Sequence, residues 1–265
     1  MKIATWNVNS IRVRLQQGLD WLALEQPEIL CLQEIKITNE LFPVDPFEAL
    51  GYQVMVSGQK TYNGVAILSR YDTTEVLEGF PDYDAQGQKR LIAATVGKIR
   101  VVNVYVPNGS APDSPKFTYK LEFINQLRNY LQKLHLNEEH LVLVGDFNIA
   151  PEARDVYDPE AMEGEIGFHP EERSALAELK DWGFEDVFRR HHEEGGLYSW
   201  WDYRAAAFRR DMGLRIDHIW ATVPLSALSV DSGMDKTQRS LPQPSDHIPV
   251  WATFDAKRIA EGHRA

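Results

Sequence analysis

Leu141-Val142-Leu143-Val144-Gly145-Asp146-Phe147-Asn148 joins an apolar run to a polar ending. Four consecutive aliphatic residues read as a buried strand, and Gly145 allows a tight backbone at its end. The run then stops on a carboxylate and a carboxamide. The same ending recurs along the chain: Trp6-Asn7-Val8-Asn9 follows KIAT, Gln33-Glu34 follows EILCL, Ser245-Asp246-His247 precedes IPVW, and Arg215-Ile216-Asp217-His218 opens IWATV. Taken singly, Asn9, Asn148 and Asp246 read as caps or turn residues, which Asp, Asn and Ser favour. Together the clusters place Glu34, Asp146, Asp217, Asp246, Asn7, Asn148 and His247 at strand ends, where such groups are costly to bury unless paired or bound to a cation. They make the hard-oxygen ligand set of a magnesium site and the acid/base set of a hydrolase.

The pattern elsewhere is of many strands, several in hairpins, with helices in both halves of the chain. KIATWNV is a strand, after which Ser10 caps a helix whose apolar face is Ile11, Leu15, Leu19 and Leu22; Pro27 ends it before the strand EILCLQE. YQVMVS, GVAILSR, TTEVLEG, RLIAATVG and IRVVNVYV follow as strands, the last two forming a hairpin that turns near Gly97-Lys98. Ser114 and Pro115 open a second long helix, as N-cap and first residue, with Phe117, Leu121, Ile124, Leu127, Leu131 and Leu134 as its stripe. A third helix spans 170–182, and YSWWDY, RIDHIWAT and HIPVWATF are later strands. No proline-rich or low-complexity linker divides the chain. The expectation is an α/β (α+β) protein with two layers of strands, one domain over 1–256 and a short tail at 257–265.

Composition narrows the class. The 265 residues, 43% hydrophobic and 25% charged, describe an ordinary globular chain with a large core. The single cysteine, Cys31, excludes an internal disulfide and suits a reducing compartment; within ILCL it reads as a packed strand residue rather than a nucleophile. Neither a signal peptide nor a membrane-spanning stretch is visible, so the expected location is cytoplasmic. A net charge of −11 argues, alone, against nucleic acid, but the charge is uneven. Residues 152–172 hold eight acidic side chains and Arg154 alone among Lys and Arg. Residues 198–216 carry Arg204, Arg209, Arg210 and Arg215 against Asp202 and Asp211, interleaved with Tyr198, Trp200, Trp201, Tyr203 and Phe208. That mixture suits a surface that tracks a phosphate backbone and stacks bases, with at least half of the aromatics expected in the core.

The segments TWNVNSIR, CLQEIK, NVYVPNG, LVGDFNIAP, GLRIDHIW and PSDHIPVWATF, in this order from the N-terminus to about Phe254, resemble the signature segments of the exonuclease III family of DNA-repair nucleases. That family lies within the endonuclease/exonuclease/phosphatase superfamily. The resemblance implies a four-layered α-β-β-α sandwich of two packed mixed sheets flanked by helices, with the active site on loops at one rim. It implies an Mg²⁺-dependent phosphodiesterase, with Mn²⁺ as a substitute, acting as a monomer on double-stranded DNA with abasic sites or blocked 3′ ends. The implied activities are abasic-site endonuclease, 3′-phosphodiesterase or phosphatase, and 3′→5′ exonuclease.

The same resemblance assigns candidate roles. Glu34, Asn7 and Asp246 would hold the metal, with Asp146, Asn148 and His247 as a possible second site. Asp146 would orient or deprotonate water, His247 paired with Asp217 would stabilise phosphoryl charge or itself be the base, and Asn148, Tyr105 and Asn7 would assist. Asn108, Trp200, Leu214, Ile216, Arg12 and Lys36 would meet DNA, the apolar trio as a pocket for an extruded sugar. For Glu34 the bland alternative is a salt bridge to Lys36, and for Ile216 it is core packing. Two departures bear on substrate choice: GSAPDSP after Asn108 is small and acidic where some relatives carry a DNA-penetrating basic residue, and the loop ARDVYDPEAMEGEIG is strongly acidic. The rival readings are a phosphatase acting on phosphoinositide or sphingolipid headgroups, and a non-catalytic DNA-binding protein.

Overall fold

The computed structural model describes residues 1–83, 86–135 and 140–261. Its strands are β1 Lys2–Asn7, β2 Ile29–Gln33, β3 Gln53–Ser57, β4 Val65–Ser69, β5 Thr73–Glu78, β6 Leu91–Val96, β7 Ile99–Tyr105, β8 Leu141–Asp146, β9 Phe184–Asp186, β10 Trp200–Trp201, β11 Gly213–Leu214, β12 Asp217–Thr222, β13 Ser229–Met234 and β14 Val250–Phe254. The helices are α1 Ile11–Glu25, α2 Val44–Glu48, α3 Pro115–His135, α4 Pro159–Met162, α5 Pro170–Lys180, α6 Val187–His191, α7 Val223–Ser226 and α8 Ala256–Glu261. The strands assemble into two six-stranded sheets, ordered β13-β14-β1-β2-β4-β3 and β5-β6-β7-β8-β12-β9, with a small β10-β11 pair between loops. Both sheets are mixed: β1 and β2 are parallel, as are β7 and β8, and the other pairs are antiparallel.

Side chains alternate between two faces along each strand, so each sheet buries two sets. One set (Ile3, Ile29, Cys31, Val101, Val142, Val144, Ile219, Val250) meets between the sheets. The opposite face of the first sheet packs Trp6, Leu30 and Leu32 against Trp21 and Leu22 of α1 and Phe47 of α2. That of the second packs Val102, Leu143 and Trp220 against Phe123 and Leu127 of α3 and Leu176 of α5. These layers form the four-layered sandwich expected from the sequence. Across the central layer Gln33 Nε2 donates to Thr5 Oγ1 and to Asn103 Oδ1 at 2.7 Å, while Asn103 Nδ2 donates to Leu32 O and Ala66 O. This buried amide network locks the two sheets together.

The hairpin at Gly97-Lys98 and the Ser114 cap are present, Phe117 N donating to Ser114 Oγ at 3.1 Å. Ser10 behaves differently: it sits at the N-cap of α1 with φ 92° and makes no side-chain cap hydrogen bond. Arg215 also departs from the sequence reading. It is fully buried, its guanidinium held by Asp155 and Asp186, and so is no part of a basic rim. Of the interleaved aromatics, Trp201 is buried, with Tyr198 and Phe208 packed against its cluster. The segment read as a tail begins within α8, which buries Ile259 against the central layer; residues 262–265 lie outside the described residues.

Candidate active site

The inward-facing positions that are apolar through the sheets turn polar at one rim. Asn7 ends β1, Tyr105 ends β7 and Asp146 ends β8, while Asp217 starts the antiparallel β12. Register does the rest: Asp146 lies opposite Tyr105 on one side and opposite Asp217 on the other. Gly145 makes the alignment possible. With φ 141°, a Cβ there would lie 1.9 Å from Val104 O, so any side chain would push β7 and β8 apart.

Asp146 is buried. Its Oδ1 accepts from Asn148 N at 2.8 Å and its Oδ2 from Asn7 Nδ2 at 2.9 Å. The same Asn7 amide donates to Glu34 Oε2 at 3.1 Å, so one carboxamide bridges two carboxylates from different sheets. Glu34 follows β2 with φ 50°, and Asn9, Ser10, Lys36 and Asn148 around it share positive φ. Such conformations cost free energy and gather at functional sites. The sequence alternative for Glu34 is also present: Lys36 Nζ lies 3.5 Å from Glu34 Oε1 and donates to Asn9 Oδ1. Asn9, read singly as a turn residue, also donates to Asp246 Oδ1 at 2.9 Å.

His247 is held by Asp217, its Nδ1 lying 3.1 and 2.9 Å from the two carboxylate oxygens, and its Nε2 points to Asp146 Oδ2 at 3.7 Å. Burial favours the neutral ring, but the charges of Asp217 and Asp146 overcome it and push the His247 pKa up to about 10. The imidazole is therefore a cation at neutral pH. Burial, only partly offset by the His247 charge, raises the Asp146 carboxyl above its usual range. Burial and then the charges of Glu34 and Asp146 hold the Tyr105 phenol well above its ordinary value, so it keeps its proton. Asp246 goes the other way: burial opposes ionisation, but His247 and hydrogen bonds from Asn9 and Trp200 hold it below the usual carboxylate range. The ligand atoms of Asp146, Asp217 and His247 lie within 4.8 Å of one another and could hold a metal ion.

These groups open into one cavity of about 310 Å³, lined by Glu34, Tyr105, Asn108, Asp146, Asn148, Asp246 and His247 and walled by Trp200, Leu214 and Ile216. Asn7 reaches it through its bonds to the two carboxylates, and Asp217 lies behind His247. Asn108 Nδ2 donates to Asn148 Oδ1 at 3.1 Å, and Asn148 Nδ2 to Val106 O at 3.0 Å. Ile216 is buried with Leu214, Val156 and Phe168, so it both packs a core and faces the cavity. Arg12 is exposed on the first turn of α1 and does not line the cavity. Ile166 and Gly167, which complete the wall from the acidic loop, are not among the sequence candidates, nor is the bond from Trp200 Nε1 to Asp246 Oδ2 at 3.0 Å. No polar or periodic signal marks the first two; the third joins residues 46 apart in sequence.

Residues 4–247 match the model of the Endonuclease/Exonuclease/phosphatase family. The chain is 37% identical to exodeoxyribonuclease III of Haemophilus influenzae, over 96% of this chain and all of the relative. Among solved structures it superposes on the 3′ phosphatase NExo from Neisseria, bound to a product DNA hairpin, with TM-score 0.93 at 46% identity, over 96% and 99% of the two chains. An AP endonuclease from Archaeoglobus fulgidus gives TM-score 0.92 at 42% identity, over 97% and 100%. Rim geometry, sheet order and these likenesses agree, and the chain belongs to the exonuclease III branch of the endonuclease/exonuclease/phosphatase family.

Proposed function

We propose that the protein is a Mg²⁺-dependent DNA-repair phosphodiesterase. It cuts beside abasic sites, removes blocking groups from 3′ ends and trims 3′ ends of duplex DNA. It works as a monomer in the cytoplasm; no helix among the described residues is long and apolar enough to cross a membrane. The observation that carries the reading is the single cavity in which Asp146, a cationic His247 and the apolar wall of Trp200, Leu214 and Ile216 meet.

The donors fit a hard dication. Glu34 and Asp246 offer only oxygen, and the Glu34 side chain keeps 19% of its surface exposed toward the cavity. His247 carries its proton and is engaged by Asp217, so Glu34, with Asn7 and Asp246, would hold the ion, and His247 would not. A divalent cation held there would supply positive charge against the negative charge that develops on the reacting phosphate. Asp146, anchored on both oxygens and raised in pKa by burial, takes the proton from water as it attacks phosphorus. His247 cannot be the base while it carries its proton; it binds a non-bridging oxygen as charge develops there. Asn108 and Asn148 present amides to the phosphoryl group, and Tyr105, kept protonated, donates toward the leaving oxygen. Arg12 and Lys36 meet the DNA backbone outside the cavity. The wall admits a sugar that has no base, for which extrusion from the stack costs least.

The test is cleavage of a duplex with one abasic site, with Mg²⁺ and with EDTA, beside an inositol phosphate in the same buffer. Mg²⁺-dependent DNA cleavage without release of inositol phosphate is expected. Headgroup hydrolysis, or binding with no cleavage, would point to one of the rival readings.

A further inference from the structure

Lys120 lies on α3, outside the cavity lining, and is fully buried. Its ammonium has three acceptors: Asn148 O at 2.8 Å, Asn108 O at 3.1 Å and Glu172 Oε1 at 2.6 Å. Glu172, equally buried, uses its other oxygen to accept from Gly167 N at 2.8 Å and His169 N at 3.2 Å, which caps α5. Gly167 O in turn accepts from Ala150 N at 2.7 Å. One buried pair thus joins the loop after β7, the loop after β8 and the loop before α5. Each of these loops contributes to the cavity wall, through Asn108, Asn148 and Gly167.

An ion pair is an expensive way to fill a core, since burying both charges offsets much of their attraction. What it provides here is direction. Three hydrogens on one nitrogen fix two backbone carbonyls that belong to residues facing the cavity. The Asn108–Asn148 side-chain bond is then set by the carbonyl positions behind it.

We infer that Lys120, clamped by Glu172, is a positioning residue that sets Asn108 and Asn148 against the reacting phosphoryl group. The inference rests on the reading that both asparagines meet that group. Misplacement of such groups by about 1 Å can lower a rate about 100-fold without touching the reacting atoms.

Lys120→Met alone would leave Glu172 buried without its countercharge, so the test uses the neutral pair Lys120→Met with Glu172→Gln. Single-turnover cleavage of the abasic duplex should fall about 10- to 100-fold, with duplex Kd and Mg²⁺ requirement unchanged and the fold intact by circular dichroism. Added to Asn148→Ala, the pair should lose little more, because both changes act through the same group. A folded pair variant with normal rate, or losses that add fully to Asn148→Ala, would overturn the inference. If the pair variant does not fold, Lys120→Arg decides: it keeps the charge, but a planar fork cannot meet three convergent acceptors in the same way. A lowered rate at unchanged Kd supports positioning, and a normal rate reduces Lys120 to a packing residue. Failure of the wild-type protein to cut the duplex would instead sink the functional reading.

Discussion

Asp146 and His247 sit 3.7 Å apart with opposite preferences for charge, and the roles proposed for them rest on that contrast. Asp146→Asn keeps shape and the bond from Asn148 N but cannot take a proton. Single-turnover cleavage should drop by about 100-fold or more, the range for loss of a general base, while duplex Kd moves by less than threefold or so. Near-normal cleavage by the variant would pass the base role to His247. Both residues were legible in the sequence because an ionisable group at the end of an apolar run is costly unless a partner or a ligand meets it there. Lys120 carries no such mark, although it sits among the apolar residues of α3, because its partners lie 12, 28 and 52 residues away. Arg215 departs from the sequence expectation for a related reason. Its neighbours Arg204, Arg209 and Arg210 suggest a basic surface, and only the fold brings Asp155 and Asp186 around it.

At the scale of elements, β12 carries two histidine-linked consequences. His218 is buried, its Nε2 bonded to Ile149 O at 2.8 Å and its Nδ1 to Arg215 Nη1 at 3.0 Å. Burial and the Arg215 charge push its pKa down to about 4. Between that value and about 6.5 the unfolded chain binds a proton that the folded chain refuses, so stability falls as pH falls, by about 3 kcal/mol at pH 4. Urea unfolding of wild type and His218→Gln at pH 7 and pH 4 should show a smaller pH effect in the variant; equal effects would mean the ring titrates normally. Asp217 begins the same strand and holds His247, its Oδ2 2.9 Å from the ring Nδ1. Asn103 on β7 tests the joint between sheets: Asn103→Ala removes three hydrogen bonds in the central layer and should cost about 2–3 kcal/mol in the same assay. Strands, the hairpin and the three main helices could be read from period and caps. The two-residue strands β10 and β11 could not be delimited, since pairing rather than local pattern defines them.

Over the whole molecule, an acidic chain must receive a polyanion on one side. Cleavage at subsaturating duplex should therefore fall with added salt, since phosphate contacts release counterions. The acidic loop is less free to repel DNA than its composition suggests. Asp155 is tied to Arg215 and Arg189, and Glu163 to Arg173. Glu160 and Glu165 remain exposed, the latter beside Ile166 of the cavity wall. Glu160→Gln with Glu165→Gln should tighten duplex Kd by about two- to fivefold at low salt, the scale of weakly screened surface charge; no change would place the loop away from the DNA path. Trp200→Ala should lower abasic cleavage more than hydrolysis of a minimal phosphodiester, and equal losses would make Trp200 a packing residue. In the proposed reaction, water activated by Asp146 attacks phosphorus. The most direct test of this step is the chemistry of the ends produced from an abasic duplex in ¹⁸O-labelled water with Mg²⁺. A 3′-hydroxyl and one ¹⁸O in the new 5′-phosphate are expected. An unsaturated sugar left on the 3′ end, with no label in the phosphate, would mean elimination instead of hydrolysis and would contradict it.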